Sequence, residues 1–300
     1  NDDSLMVLRY LASAIQRVGP VAGWQIASEL AVRDELQKDM ELTQLLWFGI
    51  ATVVEASTNP DGDLRKLLGL ADQSTSQLLK DFIRWYAAKQ SDIGRQALVD
   101  TLSSSEHRES LHALGLLELA TRGTRGIDAP PGWQSVSKEL YESSDATTRR
   151  AAESIGAVFS DQQLFEAMRQ ILSDDDSDFS EKRYALSTLS YDGSAANLPR
   201  LLELLDSEEL VGPVRPMLGR YDDTKVGAEL LARVADWSEE NRRAAIAVLV
   251  SRRAWARALL DAIDQEELPL SFLSAFDARQ IYNLGDEALR QQLSELWGNL

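Results

Sequence analysis

The residues of this chain that could do chemistry are few, and their spacing does not suit them for it. His107 and His112 are the two histidines. Five residues apart on one helix, they would stand about 140° apart around its axis, which is not the i, i+4 pair that grips zinc. They read as surface or partly packed histidines. Cysteine is absent, which excludes thiolate metal sites, cysteine nucleophiles, disulfides and covalent haem attachment within this segment. The run Asp174-Asp175-Asp176-Ser177-Asp178 opens like a calcium loop at 174, 176 and 178. The glycine and glutamate that such a loop needs next are replaced by Phe179 and Ala185, so a solvated loop between repeats is expected. Gly123-Thr124-Arg125-Gly126 lacks the third glycine and the preceding strand of a dinucleotide fingerprint, and there is no phosphate-binding G-x-x-x-x-G-K-[ST]. No catalytic, cofactor-binding or metal-ligating residue is therefore assigned. The chain is expected to be no enzyme and to carry no cofactor of its own.

Charge narrows the partners. With 31 basic against 48 acidic residues the net charge is −17, which repels nucleic-acid backbones and anionic membranes at long range. The expected partner is a basic patch on a neighbouring domain of the same polypeptide or on another protein. A base-stacking nucleic-acid solenoid conflicts with that charge, and Trp47, Trp85 and Trp255 sit among apolar helix positions, where packing is their expected role. One local departure from the acidic background is Arg242, Arg243, Arg252, Arg253 and Arg257. These form a candidate docking patch for an acidic partner, through bidentate hydrogen bonds. The competing reading is a ladder of salt bridges within the repeat stack.

The elements that must position these residues repeat. Thr148–Leu172 reads as two short amphipathic helices joined by a turn at Ser160-Asp161, and the pattern, marked first by Arg150, returns from Arg183, Arg215 and Arg243, at successive spacings of 33, 32 and 28 residues. One helix pair per period near thirty marks a stacked helical repeat. The signatures of ankyrin and tetratricopeptide repeats are missing, and no segment alternates with period two, so the expected fold is all-α, an α-solenoid of short HEAT-like hairpins. Residues 1–300 are expected to form a single repeat domain, interrupted by a hinge or inserted loop at 122–133, where three glycines and two prolines exclude a continuous helix. Second helices such as Gln163–Leu172 would line a concave working face. The apolar-leaning run Leu111–Ala120 is far too short to span a membrane. The opening Asn1-Asp2-Asp3-Ser4 has neither an initiator methionine nor a signal-peptide pattern, so a segment of something longer is expected.

Several stretches together suggest a family. They are NRRAAIAVLVSRRAWARALLDAI from Asn241, Leu268-Pro269, the group Asp277, Arg279 and Gln280, and LSELWG ending at Gly298. This region resembles the helical part of planctomycete-type multidomain membrane-bound dehydrogenase or c-type haem-binding proteins. ELTQLLWFGIATVVEA at 41–56, Ala129-Pro130-Pro131-Gly132-Trp133 and Ser160-Asp161 resemble it too, so the likeness spans essentially the whole chain. One departure is visible: Ala51 and Thr52 follow Ile50 where the family places an acidic residue. In that family a sugar-dehydrogenase-like β-propeller precedes the repeats and a cytochrome c module with a C-x-x-C-H site follows them. The resemblance implies an exported or periplasmic location and a redox parent protein, and none of the family's catalytic or haem-binding residues falls on this segment. The expected function is a non-catalytic scaffold, spacer and protein-interaction domain. The alternative is an independent adaptor taking a peptide or carbohydrate in its groove.

Overall fold

The computed structural model describes residues 4–104 and 107–298; the side chain of His107 lies outside the described residues. Among the described residues the chain is helical and carries no strand, with helices packed in neighbouring pairs as in an α-solenoid. Its contacts divide it into two compact units, Asn1–Asp161 and Gln162–Leu300.

The first unit comprises α1 (Leu5–Ala14), α2 (Pro20–Ala31), α3 (Glu35–Lys38), α4 (Met40–Glu55), α5 (Pro60–Gln73), α6 (Gln77–Gln90), α7 (Asp92–Ser104), α8 (His107–Thr121), α9 (Trp133–Tyr141) and α10 (Ala146–Val158). Helices stack on one another in two layers, with the short α3 set aside. One layer runs α1, α4, α6, α8, α10, and the other α2, α5, α7, α9. Between them lie Leu8, Leu42, Leu46, Ile50, Leu67, Leu79 and Ile83, all buried. Each such side chain stabilises the fold by about 1.5–3 kcal/mol. Trp47 packs its ring on Phe82 at 5.9 Å and edge-on to Tyr86 at 5.3 Å.

Helix starts follow the capping rules. The side chains of Asp39, Asn59, Ser76 and Asp145 accept hydrogen bonds from the backbone N–H groups of Leu42, Gly62, Leu79 and Thr148. This satisfies donors that the first turn leaves open. The bond from Leu42 N–H is the main cause that holds the Asp39 carboxyl below its ordinary 3.8, and the Thr148 hydroxyl does the same for Asp145. A folded pKa below the unfolded one means stability that is present above that ordinary value and lost as pH falls through the folded value. The midpoint of thermal unfolding, measured by circular dichroism, is therefore expected to hold steady down to about pH 4 and to fall below it. A midpoint unchanged to pH 2 would show that the caps contribute nothing.

The second unit comprises α11 (Gln162–Ser173), α12 (Phe179–Leu189), α13 (Leu198–Glu203), α14 (Val211–Leu218), α15 (Thr224–Val234), α16 (Glu239–Leu249), α17 (Arg253–Asp264), α18 (Ala275–Asn283) and α19 (Glu287–Trp297). Here α14 packs on α12 and α16 on α14, while α17 packs on α15 and α19 on α17. The arginine that marks the repeat has a fixed place. It is the fifth residue of α10, α12, α14, α16 and α18: Arg150, Arg183, Arg215, Arg243 and, one hairpin beyond the predicted series, Arg279. Only Arg215 among these is buried, donating to the backbone and side-chain oxygens of Asn241 with its guanidinium over the Trp237 ring. Burial pushes its pKa below the usual arginine range.

A different set of arginines joins hairpin to hairpin. Arg220 donates to the carbonyl of Ser190, Arg252 to that of Gly219 and Arg253 to that of Leu284. Those three residues are the C-caps of α12, α14 and α18. A cation on the open carbonyls at a helix end meets the negative pole of its dipole.

Candidate interaction groove

A groove of about 700 Å³ lies on the second-helix layer of the first unit. From α5 it takes Arg65, Leu68, Gly69 and Asp72, at spacings that fall on one helix face. From α7 come Asp92, Ile93, Gln96, Ala97 and Asp100, again one face, and the third wall is Asp128-Ala129-Pro130-Pro131. The irregular stretch 122–133 thus lies inside the first unit. Gly123, Gly126 and Gly132 all have positive φ, which explains why glycine stands there. Gln96 ties this wall down, its Nε2 donating to Pro131 O at 3.1 Å and to Asp100 Oδ1 at 2.7 Å, while its Oε1 is buried without a partner. The floor is small and apolar, and four aspartates rim it against one arginine, Arg65. Two of the four carboxylates have an arginine at hand: Asp72 lies 3.3 Å from Arg84, and Asp92 pairs with Arg95.

At the far end of that wall Asp161, itself buried, accepts on Oδ2 from Trp133 Nε1 at 3.2 Å, Ser137 Oγ at 3.4 Å and Tyr141 OH at 2.9 Å. Those donors recur every fourth residue on one face of α9. Burial first, and the Asp161 carboxylate second, push the Tyr141 hydroxyl well above its ordinary 10.0, so it serves as a donor.

The five arginines of the candidate docking patch do not come together as one cluster. Arg242 and Arg243 lie in the first turn of α16, and Arg252, Arg253 and Arg257 at the start of α17, roughly 15 Å along the helix. Arg242 donates to Trp237 O at 2.8 Å and lies 4.2 Å over the Phe272 ring; Arg243, exposed, pairs with Glu239 in its own turn. Arg252 and Arg253 reach the helix ends named above, and Arg257 meets Asp286, the N-cap of α19, at 3.1 Å. Each of the five has a partner within the chain.

Other sequence-flagged residues are accounted for by local structure. His112 Nε2 lies 2.7 Å from Asp81 Oδ1, and among the described residues no group of three or more His, Asp or Glu is placed to hold a metal ion. In the acidic run, Asp174 receives Asp176 N–H and Ser177 Oγ, and Asp178 caps α12 in a reciprocal box with Glu181. Trp47 and Trp255 are buried and Trp85 is half-buried. Among the described residues no helix is long and apolar enough to cross a membrane.

Fold and groove together define an all-helical repeat protein with an acidic cleft. No protein-family model and no curated protein matches the chain.

Proposed function

We propose that this chain is a non-catalytic spacer and protein-interaction module, and that its acidic groove takes a cationic segment of a neighbouring domain or of another protein. The observation that carries this reading is the groove itself. Its small apolar floor is rimmed by four aspartates, on a chain of net charge −17. Complementary charge steers such a partner and selects it, while the desolvated floor supplies contact area. The redox parent protein suggested by resemblance, with a dehydrogenase-like propeller and a cytochrome c module, belongs to the same proposal, as does its export.

Gly69 offers a test, because it lines the groove and a side chain there meets open space, with nothing within 4 Å of its Cβ. The intact chain is expected to bind a Lys/Arg-rich peptide in fluorescence anisotropy, with affinity that falls as salt rises. Gly69→Tyr is expected to weaken it about tenfold or more while circular dichroism stays the same. Binding that ignores both salt and Gly69→Tyr would overturn the groove reading. Sugar oxidation or hydrolysis by the chain, lost on mutation of a polar cluster, would overturn the non-catalytic one.

A further inference from the structure

The first-helix layer of the same unit carries charge of the opposite sign. Between α6 and α8, which stack side by side, lies a second groove of about 660 Å³. Gln77, Lys80 and Arg84 enter it from α6, and Arg108, Leu111 and His112 from α8. Among the described residues three counter-charges face these cations. Asp81 already receives Gln77 Nε2 at 2.8 Å and His112 Nε2 at 2.7 Å on one oxygen, Asp72 is shared with Arg84 at 3.3 Å, and Glu109 stands exposed on the lining. Among the described residues Lys80 and Arg108 have no ion-pair partner. Two uncommitted cations and a shared third thus converge on one small cleft of an acidic protein.

We propose that this groove binds a phosphate-type dianion, either free or as the head of a small phosphomonoester. Two guanidinium forks and an ammonium match the several oxygens of a tetrahedral oxyanion, which accepts from all three at once. The volume suits a small ligand. A long polyanion is disfavoured because the field of a −17 chain opposes it over its whole length, whereas a single compact group feels mainly the cations within a Debye length of roughly 8 Å. Leu111, 37% exposed, gives an ester substituent an apolar surface to lie on.

Calorimetric titration of the intact chain with inorganic phosphate and, separately, with phenyl phosphate tests this. One-to-one saturable binding is expected, weakened about tenfold or more by the double variant Lys80→Ala/Arg108→Ala and unchanged by Arg279→Ala at an exposed position of α18. Tighter binding of phenyl phosphate would identify an ester as the ligand, and equal binding the free anion. Lys80 is partly exposed and Arg108 exposed, both on helix surfaces. As a check that needs no variant, amide shifts of the unaltered chain on adding phosphate are expected to concentrate in α6 and α8. The proposal is overturned by the absence of saturable heat up to about 10 mM of either probe, by equal binding to the double variant, or by shifts confined to other helices.

Discussion

Asp161→Ala is expected to lower the free energy of unfolding by about 3–5 kcal/mol, a large share of what holds a domain together. The side chain is only 8% exposed, and one of its oxygens accepts from an indole, a hydroxyl and a phenol, all presented by α9. Each buried donor left without an acceptor costs about 1–3 kcal/mol, and Trp133, at 1% exposure, has no route to water. Ser137 can turn its hydroxyl elsewhere, which keeps the sum below three full penalties. Denaturant unfolding followed by tryptophan fluorescence measures the loss, and a change under about 1 kcal/mol would mean that the three donors find other acceptors.

The second large effect is expected at Gly94. A Cβ built there would stand 2.0 Å from the carbonyl carbon of Ala87 and 2.3 Å from the nitrogen of Ala88. The obstacle is backbone, so no rotamer change relieves it and α7 must back away from the end of α6. Two effects oppose one another in Gly94→Ala. Alanine favours the helix by about 1 kcal/mol, while overpacking costs about 3 kcal/mol or more against a rigid neighbour. The clash wins, and a net loss of about 2 kcal/mol or more is expected in urea unfolding. Gly69→Ala is the control. Its Cβ meets open space, so propensity acts alone and a gain of up to about 1 kcal/mol is expected. Equal shifts of the same sign in the two variants would dismiss the close approach as a cause.

Much of the architecture was legible because each hairpin announces itself locally. Arg150, Arg183, Arg215 and Arg243 recur at one helix register, and Arg279 extends the series where the turn before α18 had hidden it. The acidic groove was not legible. Its lining comes from 65–72, 92–100 and 128–131, and nothing in those stretches says that α5 stacks on α7 until the layering is known. Glycines and prolines marked 122–133 as irregular, yet it is docked by hydrogen bonds from Gln96 to Pro131 O and from Ile127 N–H to Val158 O, which no pattern announces. Asp161 read as a turn residue. The fourfold spacing of Trp133, Ser137 and Tyr141 carried the available hint that one face of α9 was seeking a common acceptor. The arginines from 242 to 257 suggested a patch because they are near in sequence, but α16 carries the two groups to opposite ends.

The 3.3 Å contact between Arg84 and Asp72 has one end in each groove of the first unit. If an oxyanion draws Arg84 to itself, Asp72 loses its partner and becomes a better acceptor for a cation on the other layer. The converse exchange must be equally strong, since coupling between two sites is reciprocal. Arg84 is partly exposed and Asp72 largely so, and the coupling stays below about 1 kcal/mol. That is enough to make the α5–α6 turn a mild coincidence detector, favouring the state in which both visitors are present. Phosphate affinity that does not change on saturation with the cationic peptide would show the two grooves to be independent.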